Sequence, residues 1–85
     1  MSYKEKELKK LYWTIGEIAG ELNVTTSTLR HWHSKIPQSE PKKRYKNGQG
    51  RMYSLKERKF MHRIYDLIKI QGYRIEGAIR VLNEE

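Results

Sequence analysis

Thr14-Ile15-Gly16-Glu17-Ile18-Ala19, followed after a short break by Val24-Thr25-Thr26-Ser27-Thr28-Leu29-Arg30-His31-Trp32, decides how this 85-residue chain folds. Thr14 and Glu17 have the spacing of a capping box, in which each side chain satisfies an amide of the other's turn, so a helix begins at about Ile15. Ile15, Ile18, Ala19 and Leu22 follow the i, i+3, i+4, i+7 pattern of one buried stripe, and Asn23 tolerates the left-handed backbone that stops a helix. That helix is only about two turns long. Thr25 caps a second one, in which Leu29 and Trp32 share one side while Thr26, Ser27, Arg30 and His31 occupy the others. Ile36-Pro37 ends it, because the residue before a proline is driven out of the helical region. Short helices joined by a tight turn, the second carrying hydroxyl, guanidinium and imidazole groups outward, are how a helix-turn-helix presents a recognition helix to duplex DNA.

Composition narrows the reading. A chain of 85 residues holds one domain with a small core, and three or four short elements, mostly helices, are what such a core supports. With no cysteine there is no disulfide framework, thiolate metal site or cysteine nucleophile, which suits a cytoplasmic protein. No apolar run approaches the roughly 20 residues needed to cross a bilayer. Divided by position, residues 1–34 carry five Lys/Arg and four Asp/Glu, residues 35–63 ten and two, and residues 64–85 three and four. The whole formal charge of +8 therefore lies in the middle third, the electrostatic footprint of a polyanion partner.

Within that third, Asn47-Gly48 is a turn signal, and its flanks Arg44-Tyr45 and Met52-Tyr53 pair as short strands of a basic hairpin, or wing. Gly48 and Gly50 keep its tip free of bulk, so Lys42, Lys43, Arg44, Lys46 and Arg51 are its candidate DNA contacts. Ser54 and Glu57 form a second capping box, opening a helix that runs to Gly72. Leu55, Met61, Ile64, Leu67 and Ile68 make its apolar stripe, and Lys56, Lys59 and Arg63 share its polar side. Beyond Tyr73 a last helix turns Ile75, Ala78, Ile79 and Leu82 inward.

Tyr12-Trp13-Thr14-Ile15-Gly16-Glu17-Ile18-Ala19, Val24 to Trp32, Gly50-Arg51-Met52-Tyr53-Ser54 and Gly72-Tyr73-Arg74-Ile75-Glu76-Gly77-Ala78, taken in that order and spacing, resemble the N-terminal winged helix-turn-helix domain of the MerR (mercuric-resistance regulator) family of bacterial transcription regulators. The resemblance implies a DNA-binding domain over residues 12–82, after a polar extension at 1–11. It also implies a homodimer on a near-palindromic operator, an indirect effect on RNA polymerase, a base contact from Ser27 and phosphate contacts from Arg30 and Arg51. His31 replaces a common Tyr or Phe, His33 a common glutamate, Arg58 an apolar residue and Arg74 a capping Ser or Thr. The departures put in question the charge near DNA, the packing at the start of the third helix and the cap of the fourth. The family's long dimerisation helix has no counterpart before residue 85. The chain is then either a domain of a longer regulator or a minimal protein that dimerises on DNA, and alone it is expected to be monomeric.

Other chemistry fits poorly. Trp32 shares a side with Leu29 and reads as a core anchor, while His31 and His33 point apart on a helix and do not share a metal. Ser27 has no acid partner or nucleophile elbow, so the chain is not read as an enzyme, and no cofactor is expected. Sequence-specific regulation of transcription has two alternatives. Winged modules of this build also serve phage excision or DNA packaging, and a protein-interaction adaptor would show a neutral wing and an exposed apolar patch.

Overall fold

A computed structural model describes residues 11–44 and 51–85. The order is β1 (Tyr12–Trp13), α1 (Ile15–Leu22), α2 (Thr26–Lys35), a 3₁₀ turn (Pro37–Ser39), β2 (Lys43–Arg44), β3 (Arg51–Ser54), α3 (Leu55–Tyr65) continuing as a π-helical stretch (Asp66–Ile70), and α4 (Ile75–Glu84). The mostly helical winged helix-turn-helix expected from the sequence is the fold observed.

Local signals set the helix ends. Thr14 accepts from the Glu17 amide at 3.1 Å while its own amide donates to Glu17 Oε1 at 2.9 Å, and Ser54 and Glu57 repeat the exchange at 3.2 and 2.9 Å. Asn23 lies in the left-handed region at φ 55°. There its amide donates to the Gly20 carbonyl and that of Val24 to the Ala19 carbonyl, which closes α1 in a Schellman turn. Gly72, at φ 80°, ends the π-helical stretch, with the Tyr73 amide donating to the Leu67 carbonyl at 2.9 Å.

Packing is concentrated where α1, α2 and α3 meet under the sheet. Ile18, Ala19 and Leu22 of α1, Leu29 and Trp32 of α2, Ile36, and Met61, Ile64 and Leu67 of the long helix are buried with Trp13 and Tyr53. Leu55 departs from its expected place, being 48% exposed. At about 100° per residue it falls opposite the stripe of Met61, Ile64 and Ile68, so helical geometry excludes it from that face.

The sheet has three strands in the order β1-β3-β2. β3 pairs antiparallel with β2 in the register Lys43↔Met52, Arg44↔Arg51, and with β1 as Tyr12↔Ser54, Trp13↔Tyr53. Of the expected Arg44-Tyr45 strand, Arg44 lies on β2, which also takes in Lys43. Its register is the one that a hairpin centred between residues 47 and 48 imposes, but that turn, with Tyr45, Lys46, Gly48 and Gly50, lies outside the described residues. β1 went unforeseen because a two-residue strand shows no periodicity.

Candidate nucleic-acid interface

The outer face of α2 collects the expected base-reading residues. At about 100° per residue, Thr26, Arg30, Ser27 and His31 fall within an arc of about 140°, diametrically opposite Leu29 and Trp32. Ser27, Arg30 and His31 are exposed and Thr26 is half-buried. The arc is stiffened from within. Thr25 accepts from the Thr28 amide at 3.1 Å, and Arg30 Nη1 donates to Thr26 Oγ1 at 3.3 Å, which leans the guanidinium back along the helix. Ser34, which the sequence reading passed over, is exposed on the same arc and donates to the His31 carbonyl at 2.6 Å. Its helical position was the available signal.

The wing is anchored at its base. Lys42 is exposed, and its backbone amide donates to Glu57 Oε2 at 3.1 Å. Glu57 therefore holds the start of the wing with one oxygen and the first turn of α3 with the other. Lys43, Arg44 and Arg51 lie on β2 and β3, where Arg44 and Arg51 occupy opposed register positions. Lys46 is outside the described residues.

Two other cations of the basic third, Arg58 and Arg63, are committed internally. Arg58 Nε donates to Glu21 Oε1 at 2.9 Å, and its guanidinium carbon lies 4.8 Å from the Trp13 ring centroid. The departure from an apolar residue at Arg58 is thus accommodated, since an aromatic face and a carboxylate take up the guanidinium. His62 Nε2 is 3.0 Å from the same Glu21 oxygen. Partial burial pushes the Glu21 carboxyl up, but the hydrogen bonds and charges of Arg58 and His62 outweigh it and hold it below the ordinary value of 4.5. Arg63 pairs with Glu85 and, at 3.3 Å, with Asp66. The Glu85 bond is the main reason that its guanidinium is held above the usual arginine value.

His33 is tied into the fold. Its Nδ1 lies 2.7 Å from Ser39 Oγ and its Nε2 2.5 Å from the Tyr53 hydroxyl, which joins α2 to the 3₁₀ turn and to β3. Arg74 does not cap α4, whose first turn receives no side-chain hydrogen bond. Among the described residues no three His, Cys, Asp or Glu side chains are gathered to hold a metal, and no helix is long and apolar enough to cross a membrane.

Compared with known proteins, residues 13–85 match the family model of the MerR HTH family regulatory protein. No curated protein and no solved structure matches the chain.

Proposed function

Because the chain belongs to the MerR HTH regulatory family, we propose that it binds duplex DNA in a sequence-specific way and regulates transcription, with residues 12–82 as the DNA-binding domain. The observation that carries this reading is the single outward arc of Thr26, Ser27, Arg30 and His31, set opposite the buried Leu29 and Trp32. A helix placed in a major groove needs that division, with a polar face on the side away from its own core. Ser27 is the base-reading group. Arg30 grips a phosphate, for which a guanidinium offers a planar fork.

The wing supplies the flanking backbone contacts through Lys42, Lys43, Arg44, Lys46 and Arg51. Arg44 and Arg51 support this role, since like charges at opposed register positions destabilise an isolated hairpin and a polyanion offsets that cost. Two copies on a two-fold operator, with half-sites about 34 Å apart, are the assembly through which RNA polymerase is affected. A cytoplasmic site of action follows from that partner.

Selection of bound duplexes from a random library, followed by titration of the best duplex against salt, tests the proposal. A preferred half-site should emerge, and if about four phosphates are neutralised, log K should fall with log salt at a slope near −3.6. Ser27→Ala should cost about 1 kcal/mol on the selected duplex and little on random DNA. Salt-independent binding, or no enrichment of any duplex, would remove the reading.

A further inference from the structure

The hydrogen bonds around His33 make its Nδ1 a donor. Ser39 Oγ is 2.7 Å from the Ile36 carbonyl oxygen, and because a carbonyl only accepts, the one hydroxyl proton is committed there. The 2.7 Å contact between Ser39 Oγ and His33 Nδ1 then takes its proton from the ring, so Nδ1 donates. A neutral imidazole has one N–H. In the neutral ring Nε2 then offers a lone pair, to which the Tyr53 hydroxyl donates across 2.5 Å. The other neutral tautomer would set the Nδ1 lone pair against the lone pairs of Ser39 Oγ. Ser39 and Tyr53 are each 1% exposed, so bulk water does not replace either partner.

These three side chains stand on three different elements: α2, the 3₁₀ turn and β3. Resting on the DNA-binding reading above, we infer that His33 is a positioning residue for DNA recognition. As an Nδ1–H imidazole it locks the helix that presents Ser27 and Arg30 to the strand that carries Arg51. Base reading and backbone contact are thereby held in one relative geometry. A groove-reading helix and a wing gain from being pre-set together, because a complex that must first fix their relative placement loses that ordering cost from its affinity.

The first arm of the test reads the ring itself. Nitrogen-15 spectra of the wild-type chain in mildly alkaline solution should show a protonated Nδ1 and an unprotonated Nε2 on His33. An Nε2–H ring, or an imidazolium there, would overturn the inference.

The second arm uses the duplex that the wild-type chain enriches from a random library, with random duplex as control. Tyr53→Phe removes one hydroxyl and keeps the ring in the core. It should weaken binding to the enriched duplex about three- to tenfold and leave binding to random duplex unchanged, since no charge is altered. His33→Asn keeps an amide donor where Nδ1 was, and His33→Gln an acceptor where Nε2 was. Gln should therefore preserve more of the preference than Asn. The double variant H33N/Y53F should be no weaker than either single one, because both cut the same bond. Additive losses, equal losses on both duplexes, or no loss with Tyr53→Phe would overturn the role of His33 while the DNA-binding reading stood. Failure of the wild-type chain to enrich any duplex would remove both.

Discussion

Helices α2 and α4 are each ten residues long, yet they are held in opposite ways. α2 receives a side-chain cap from Thr25, buries Leu29 and Trp32 fully, is followed by the buried Ile36, and is tied through His33 to Ser39 and Tyr53. α4 starts without a side-chain cap and buries only Ala78 fully. Its neighbours Ile70 and Tyr73 are 66% and 41% exposed. The helix with one face left polar is thus the one whose opposite face is the more firmly held. α4 instead lays the half-buried Ile75, Ile79 and Leu82 against the core.

The sharpest way to break that contrast is to hollow out each helix in turn. Leu29→Ala should cost about 2–5 kcal/mol, a large share of what an 85-residue domain has. Leu82→Ala, at a half-buried site on α4, should cost about 1 kcal/mol. Denaturant melts of both variants decide it, and equal losses would show that α4 is as integral as α2. The caps give a smaller and opposed pair. Thr25→Ala should destabilise by about 1 kcal/mol, whereas Arg74→Ser, placed on an N-cap backbone already extended at φ −73° and ψ 162°, should stabilise by up to about 1 kcal/mol. A loss with Arg74→Ser would mean that the uncapped start of α4 is favourable as it stands.

The same division runs through the basic groups. Arg51→Ala should make the salt slope of DNA binding shallower by about one on specific and random duplex alike, while Arg63→Ala, removing a guanidinium already paired with Glu85, should leave it unchanged. Equal changes would mean that pairing with Glu85 does not withdraw Arg63 from phosphate.

The smallest effect is acid sensitivity at the α1–α3 contact. Because the Glu21 carboxyl is held below 4.5 in the folded chain, its contribution is complete above that value and is lost as pH falls through its lowered folded value. The contribution is at most about 1 kcal/mol for a partly exposed pair. Glu21→Gln should therefore lose less stability than the wild-type chain between neutral and acid pH in thermal melts. Parallel losses would mean that Arg58 and His62 do not stabilise the carboxylate.

The capping boxes at Thr14 and Ser54, the stops at Asn23 and Gly72, the buried stripe of α1 and the outward arc of α2 were all legible in the chain. Each depends on residues within about one helical turn of one another, and backbone sterics and amide satisfaction act over that range whatever the rest of the molecule does. Leu55 could have been placed correctly by the same geometry. The sequence also located the positive charge, but it did not divide it. That Arg58 and Arg63 are held by carboxylates, and that His33 is a hydrogen-bonded link between elements, follows from pairs such as Glu21 with Arg58 and His33 with Tyr53, which lie 37 and 20 residues apart. No local pattern encodes such pairs. They exist only because burial of Ile18, Leu29, Met61 and Ile64 brings α1, α2 and α3 together, and the strand Tyr12–Trp13 likewise takes shape only against the edge of β3. The sequence by itself determined which helices form and which face of α2 stays polar. Tertiary packing decided which polar groups remained free for a partner, because a charge or an imidazole is consumed only when the fold places a partner within hydrogen-bond reach.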